Sequence, residues 1–169
     1  MKIMLNRTTF LTIGILFLTF SVSGQDAMPT KEETVNYLNR RLQEVDGRRP
    51  EVDSIPDHKF TNLSFTMKSD VVIFTFSWLA GSDGLRTNTF NPAHIEDVSI
   101  RKPSKGEIIS SIYVNFKGKL VKQTCKRQCE ESMDFVRFPY LSATPEAAEK
   151  IKKAFLHLRD LAKAEDDLF

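Results

Sequence analysis

The 169-residue sequence has little of what identifies several common protein classes, with two cysteines, three histidines and one tryptophan. The histidines, at positions 58, 94 and 157, are scattered, so they and the cysteines do not provide the four spaced ligands of a zinc site. No nucleophile-elbow motif is present, and the neighbouring acids Glu96 and Asp97 would point to opposite faces of a strand. We therefore predict no catalytic residue, no metal site and no cofactor.

Long hydrophobic runs are also missing. The main apolar run, Phe10–Phe20, has 11 residues, whereas a membrane-spanning helix needs about 20. Lys2 and Arg7 precede this run, and small or compact residues from Val22 to Gly24 follow it. This order is typical of a secretory signal peptide. We predict that residues 1–24 are removed, that the mature chain has no transmembrane segment, and that it reaches the periplasm or the extracellular space.

An excess of charge of one sign is absent as well. The sequence has 24 basic and 22 acidic residues, and the predicted signal peptide carries two of the basic ones, so the remaining charges balance at 22 of each sign. A balanced chain without a dense basic stripe lacks the electrostatic pattern of a nucleic-acid binder, which excludes that partner class. Residues 25–169 have the length of one domain, and we predict a single one.

The mature chain begins with the pattern of an amphipathic helix. Thr30 and Glu33 have the spacing of a capping box. Apolar residues then recur every three or four positions, at Val35, Leu38, Leu42 and Val45. This spacing predicts an N-terminal helix over residues 30–46 that packs on the rest of the domain.

The period of the hydrophobic pattern changes to two over residues 58–140, which predicts an antiparallel sheet of about seven strands. Two alternating segments on either side of Ser69 and Asp70 favour a hairpin. The clearest strand covers residues 108–116, and we expect residues 120–125 to return beside it across the turn at Gly118. The last strand is predicted from Met133 to Tyr140.

A second amphipathic helix is predicted over residues 144–165. Thr144, Pro145 and Glu146 are typical of a helix start. Its apolar face contains Ala148, Ile151, Phe155, Leu158 and Ala162. The predicted class is therefore α+β, a bent antiparallel sheet or open barrel with a helix at each end.

This element order resembles pleckstrin-homology-like (PH-like) domains, here with an additional N-terminal helix. The amino-acid sequences of the segments Lys153–Leu161 and Asp167–Phe169 resemble those of exported proteins of the Bacteroidetes, which also start with a capped helix. The resemblance implies a binding scaffold without catalytic residues of its own. Phosphoinositide-binding members use a basic loop between their first two strands, but the loop Lys68–Asp70 has one lysine beside one aspartate, so lipid-headgroup binding does not follow.

The two cysteines, Cys125 and Cys129, lie close together in the sequence. In an oxidising compartment such a pair usually forms a disulfide, which requires a turn because positions i and i+4 of an extended strand are about 13 Å apart. A local disulfide is our first interpretation. Two unpaired thiols and a redox pair remain as alternatives.

Two groups of residues are candidate binding sites. Three aromatic side chains could line a ligand cavity or fill the core: Phe74, Phe76 and Trp78. Four basic residues could contact an anion or protect an exposed strand edge: Lys119, Lys122, Lys126 and Arg127.

Together these patterns predict a noncatalytic binding or interaction domain of the bacterial envelope. Its partner would be a small ligand, a glycan or another envelope protein. One alternative is a small envelope hydrolase with dispersed catalytic residues such as His94 and Glu96. A second alternative is a thiol redox protein that uses Cys125 and Cys129.

Overall fold

The computed structural model describes residues 28–49, 58–79, 84–126 and 129–166. The predicted signal peptide at 1–24 and the tail at 167–169 lie outside the described residues. Within them, eight strands form two antiparallel sheets, and a helix lies at each end of the strand region. The predicted α+β class is therefore confirmed.

Helix α1 spans Lys31–Gln43. Thr30 Oγ1 accepts a hydrogen bond from the Glu33 amide at 3.2 Å, and the Glu33 carboxylate accepts one from the Thr30 amide at 2.8 Å. This reciprocal pair confirms the predicted capping box. The helix ends before the predicted residue 46 because the chain turns towards Gly47, whose positive φ of 71° is favourable for glycine.

The strands divide into a sheet of five and a sheet of three. The first sheet has the order β1-β2-β3-β6-β7, with β1 His58–Lys68, β2 Val71–Leu79, β3 Leu85–Phe90, β6 Val121–Cys125 and β7 Glu130–Met133. The second has the order β4-β5-β8, with β4 Ile95–Ile100, β5 Ile109–Phe116 and β8 Phe135–Leu141. A 3₁₀ turn, Pro92–His94, connects β3 to β4 and thus links the two sheets.

Strands β1 and β2 form the predicted hairpin. Lys68 pairs with Val71 across a two-residue turn in which Ser69 has a φ of 50°. Phe65 on β1 and Phe74 on β2 pair directly and are both buried, as the alternation predicts.

The expected pairing of residues 120–125 with the strand at 108–116 is wrong. Strand β6 instead pairs with β3 and β7 in the first sheet. Strand β5 has no free edge for β6, because β4 bonds to one side of it and β8 to the other. The turn at Gly118 therefore carries the chain from one sheet to the other.

The predicted last strand, 133–140, is split between the sheets. Met133 ends β7, which pairs with β6, and Phe135 begins β8, which pairs with β5. The Asp134 carbonyl at the break accepts a hydrogen bond from the Phe116 amide at 2.8 Å. This division is the reason that the structure has eight strands where about seven were expected.

Helix α2, Pro145–Asp166, covers the core and packs against α1, β4 and the 3₁₀ turn. All five residues of its predicted apolar face are buried. Phe155 lies edge-on to Phe65 at 5.7 Å and to Phe138 at 5.1 Å between ring centroids, so α2 contacts both sheets. Over the described ranges, neither helix is long and apolar enough to cross a membrane.

Candidate functional site

A cavity of about 180 Å³ lies between one face of the first sheet and the face of β8 that carries Phe135, Arg137 and Pro139. Its remaining apolar lining comes from Phe60, Phe76 and Met133. Its remaining polar lining comes from Arg86, Asn88, Gln123 and Glu131. Five strands of the first sheet and one strand of the second therefore contribute to a single space that is part apolar and part polar.

The register of the first sheet explains how the polar residues meet. Asn88 on β3 pairs with Phe74 on one side and with Gln123 of β6 on the other, and Gln123 pairs in turn with Glu131 of β7. Directly opposite residues of an antiparallel ladder share a face. The buried Phe74 thus begins a row that becomes polar at Asn88 and ends at the exposed Glu131.

Three of these side chains form a hydrogen-bonded relay. Arg86 Nη1 donates to Gln123 Oε1 at 2.8 Å, and Gln123 Nε2 donates to Asn88 Oδ1 at 2.8 Å. Arg86 is exposed at the mouth, whereas Gln123 and Asn88 are only 4% and 2% exposed. Because a guanidinium can only donate, it fixes Gln123 Oε1 as the acceptor and leaves Gln123 Nε2 to face Asn88 Oδ1. Asn88 Nδ2 then has no hydrogen-bond partner among the described residues.

Arg137 supplies a second guanidinium from the other sheet. Its Nε donates to Ser111 Oγ on β5 at 2.6 Å, which holds the half-buried side chain in place. Burial lowers the pKa of Arg137, the Tyr113 phenol partly offsets this shift, and the Arg101 guanidinium adds to it. The pKa of an arginine begins so high that Arg137 stays charged at neutral pH.

The cavity lining carries charges of both signs. Arg86 and Arg137 are cationic, and Glu131 is the anionic residue of the lining. Glu131 is exposed at the mouth, where water screens its charge better than in the half-buried position of Arg137.

The predicted aromatic cavity residues have different positions. Phe76 lines the cavity, while Phe74 is fully buried and stacks on Phe76 with 5.3 Å between ring centroids. The side chain of Trp78 lies outside the described residues.

The predicted anion contact at the lysines is a separate surface. Lys119, Lys122 and Lys126 are exposed, and Lys122 Nζ lies 2.9 Å from Glu130 Oε1. Arg127 lies outside the described residues. None of the three described lysines lines the cavity, so the cationic groups that the structure brings to it are Arg86 and Arg137.

The remaining candidates lie elsewhere. A disulfide joins Cys125 to Cys129, with 5.2 Å between the Cα atoms, at the end of β6. His94 ends the 3₁₀ turn and Glu96 lies on β4 next to a register shift, and both side chains are exposed. The described residues hold no group of three or more histidine, cysteine, aspartate or glutamate side chains arranged for a metal ion.

A larger groove of about 460 Å³ runs between the two helices. Its lining is mostly apolar and includes Met28, Tyr37 and His157. His157 Nε2 lies 2.6 Å from the Pro29 carbonyl oxygen, and the hydroxyl of the buried Thr34 donates to the Thr30 carbonyl. The buried hydroxyl of Tyr37, by contrast, has no hydrogen-bond partner among the described residues, so the groove also contains an unpaired polar group.

The polar side of the cavity was missed by sequence reasoning. Polar residues of a strand are normally assigned to the solvent face, and Arg86, Asn88 and Gln123 are polar residues of β3 and β6. The available signal was alternation: Arg86 and Asn88 share the parity of the buried Phe90, and Gln123 lies two residues from the buried Val121. Such alternation places polar side chains on an inner face.

The comparisons with known proteins identify no relative. No family model matches the chain. Neither the curated proteins nor the solved structures give a significant match. The function must therefore be argued from the cavity itself.

Proposed function

We propose that this chain is a noncatalytic binding domain that holds a small ligand in the cavity between β3, β6, β7 and β8. One observation carries the proposal. The Asn88 side chain is 2% exposed and lines the cavity, yet its Nδ2 donates to no described residue. The Nδ2 atom is not one of the fully buried side-chain atoms without a partner, so it opens onto the cavity, where an acceptor can reach it. A ligand acceptor in the cavity would complete the relay that starts at Arg86.

We further propose that the domain is exported to the bacterial envelope, with cleavage after Gly24. The charged start, the short apolar run and the small residues up to Gly24 support this location. The bond between Cys125 and Cys129 agrees with it, because disulfides persist mainly in oxidising compartments.

The PH-like interpretation is likewise a proposal. Its support is an antiparallel strand region that is followed by a C-terminal helix on the core. The pairing of β6 with β3 differs from the expected return of residues 120–125 beside the strand at 108–116. A binding cavity does not depend on this classification, because function belongs to the site and not to the fold.

Native mass spectrometry tests the binding proposal. The full chain is expressed with its own signal peptide, recovered from the envelope fraction of its host and sprayed without denaturant. We expect a mature chain that starts at Gln25 and retains a small molecule. Met133→Trp, which fills the cavity, should release that molecule.

Met67→Trp is the matched control, because Met67 is a half-buried methionine on β1 that does not line the cavity. Circular dichroism checks that both variants are folded. Retention in the control and loss in Met133→Trp support the proposal. A bare wild-type chain, or equal retention in all three proteins, contradicts it.

A further inference from the structure

We propose that the ligand of this cavity is a neutral carbonyl compound of about the size of a single ring. This inference rests on the proposed binding function and names the chemistry that the cavity selects. Three features of the described lining support it: the donor that the hydrogen-bond relay leaves over, the opposite charges at the mouth and the apolar wall.

The relay leaves one donor for the ligand. Arg86 donates to Gln123 Oε1, and Gln123 Nε2 donates to Asn88 Oδ1. Both polar atoms of the Gln123 amide are thereby occupied, and Asn88 keeps Nδ2, which can only donate. Asn88 is 2% exposed, and its Nδ2 opens onto the cavity. A ligand group at this position must therefore accept a hydrogen bond, which excludes an ammonium group.

The charges of the lining favour a neutral acceptor over an anion. Arg86 and Glu131 are both exposed at the mouth and carry opposite charges, so they offset one another. Arg137 is already engaged within the chain, by Ser111 among others. A carboxylate has about four acceptor sites, of which Asn88 Nδ2 fills one, and a buried charge with too few partners is costly. A carbonyl oxygen has no charge, and the single hydrogen bond from Asn88 gives it a partner.

The apolar wall and the volume limit the rest of the ligand. Five apolar side chains line the cavity: Phe60, Phe76, Met133, Phe135 and Pro139. The cavity volume of about 180 Å³ is slightly larger than that of an engineered apolar cavity of about 150 Å³ that binds benzene. A single ring therefore fits. A sugar of the same size would bury several hydroxyl groups against apolar side chains, which is unfavourable.

The experiment compares cyclohexanone with methylenecyclohexane, which has the same shape but carries a CH₂ group in place of the carbonyl oxygen. Each probe is titrated into the mature chain, residues 25–169, and binding is followed by amide chemical shifts in two-dimensional NMR. The hydrocarbon leaves water more readily than the ketone does. The informative quantity is therefore the ratio of the two dissociation constants, compared between the wild type and Asn88→Leu, because the cost of leaving water cancels in that comparison.

We expect cyclohexanone to bind the wild type with its largest shifts at Asn88 and Gln123. Leucine has the shape of asparagine but cannot donate. In Asn88→Leu the ratio should therefore move about tenfold against cyclohexanone, since the lost hydrogen bond corresponds to roughly 1.4 kcal/mol. An unchanged ratio would overturn the inference.

Asn115→Leu is the matched control. Asn115 is a half-buried asparagine of β5 that donates to Ser99 Oγ and does not line the cavity. Its ratio should equal that of the wild type, and circular dichroism checks that both variants are folded. If Asn88→Leu does not fold, the wild type supplies the test: the Asn88 Nδ2 protons should respond to cyclohexanone and not to methylenecyclohexane. An equal response to both probes contradicts the proposed hydrogen bond.

Three results separate this inference from the binding function. An unchanged ratio with shifts at the cavity overturns the carbonyl but supports a binding site. Tighter binding of cyclohexanecarboxylate than of cyclohexanone overturns the neutral ligand and likewise supports a site. Binding of no probe also overturns the carbonyl, and native mass spectrometry then decides the function: a retained molecule that Met133→Trp releases keeps it, and a bare chain refutes it.

Discussion

Gln123 makes two hydrogen bonds in a nearly buried position and thereby sets the polarity of the whole cavity. Because Arg86 can only donate, Gln123 Oε1 accepts from Arg86 and Gln123 Nε2 donates to Asn88 Oδ1. A buried polar network is favourable when its members are satisfied and costly when one of them loses its partner. The stability of this region and its choice of ligand therefore depend on the same two hydrogen bonds.

Gln123→Met tests this dependence. The methionine has a similar length but cannot donate to Asn88 Oδ1, so we expect the free energy of unfolding to fall by about 1–3 kcal/mol. Urea denaturation measures the change. Adding Asn88→Leu removes the stranded amide, and the double variant should lose less than the sum of the two single variants. A single variant as stable as the wild type would contradict the relay.

Phe155→Ala tests the aromatic centre of the core. Phe155 is fully buried against Phe65 and Phe138, so we expect a loss of about 3–5 kcal/mol in unfolding free energy. Phe76→Ala should cost less, because the cavity already lies beside that ring and fewer contacts are lost. Parallel urea titrations compare the two variants. An equal or larger loss for Phe76→Ala would show that the ring belongs to a closed core.

Single residues of the core could be predicted from the sequence, whereas the polar cavity could not. Alternation identified Phe65 and Phe74 correctly, and helical spacing identified the apolar face of α2, because apolar burial dominates both patterns. Polarity alone assigns Asn88 and Gln123 to solvent, although their parity with the buried Phe90 and Val121 places them on the inner face. Their burial depends on partners 35 residues apart in the chain, which local pattern does not contain.

Helix α1 shows how one charged side chain supports an element. Hydrogen bonds from the backbone amide and the side chain of Thr30 lower the pKa of the exposed Glu33 carboxyl. A carboxyl whose pKa is depressed in the folded state stabilises that state above the unfolded value, which is about 4.3 for glutamate. This contribution disappears as the pH falls through the folded pKa.

Glu33→Gln should therefore destabilise the protein at neutral pH and have a decreasing effect in acid. The glutamine keeps the geometry of the capping box and removes the charge. Urea midpoints of the wild type and the variant, measured from neutral to strongly acidic pH, should converge below the ordinary glutamate pKa. A difference that is independent of pH would contradict the pKa assignment.

At the scale of elements, local sequence signals predict where the helices begin, but they do not predict which strands pair with one another. The caps predicted where both helices start, since those contacts lie within one turn of the chain. The strand with which β6 pairs depends on which strand edges are already hydrogen-bonded. Strand β5 is bonded on both sides, so the neighbouring segment had to join the first sheet.

The whole molecule depends on contacts that cross between the sheets. Helix α2 packs on the second sheet and contacts the first through Phe155 and Phe65. The chain passes from one sheet to the other at Pro92–His94, Gly118 and Asp134. The cavity lies beside the crossing at Asp134, which joins β7 to β8. Its two arginines consequently come from different sheets, which no single-strand pattern could predict.

The disulfide between Cys125 and Cys129 closes a short loop next to this region. By the chain-entropy model, a loop of five residues is worth about 2 kcal/mol. The double variant Cys125→Ser and Cys129→Ser should lose about that amount in urea denaturation, and the reduced wild type should match it. No loss in either protein would show that the bond does not constrain the unfolded chain.

The side-chain amide signal of Asn88 tests the central claim most directly. In ¹⁵N-labelled protein, the Asn88 Nδ2 protons are assigned by their disappearance in Asn88→Asp, and their shift is compared between the chain that retains its ligand and the chain stripped of it. A hydrogen bond to a ligand acceptor should move these protons downfield in the loaded chain. A loaded chain in which they are unchanged would place the ligand elsewhere and contradict the account.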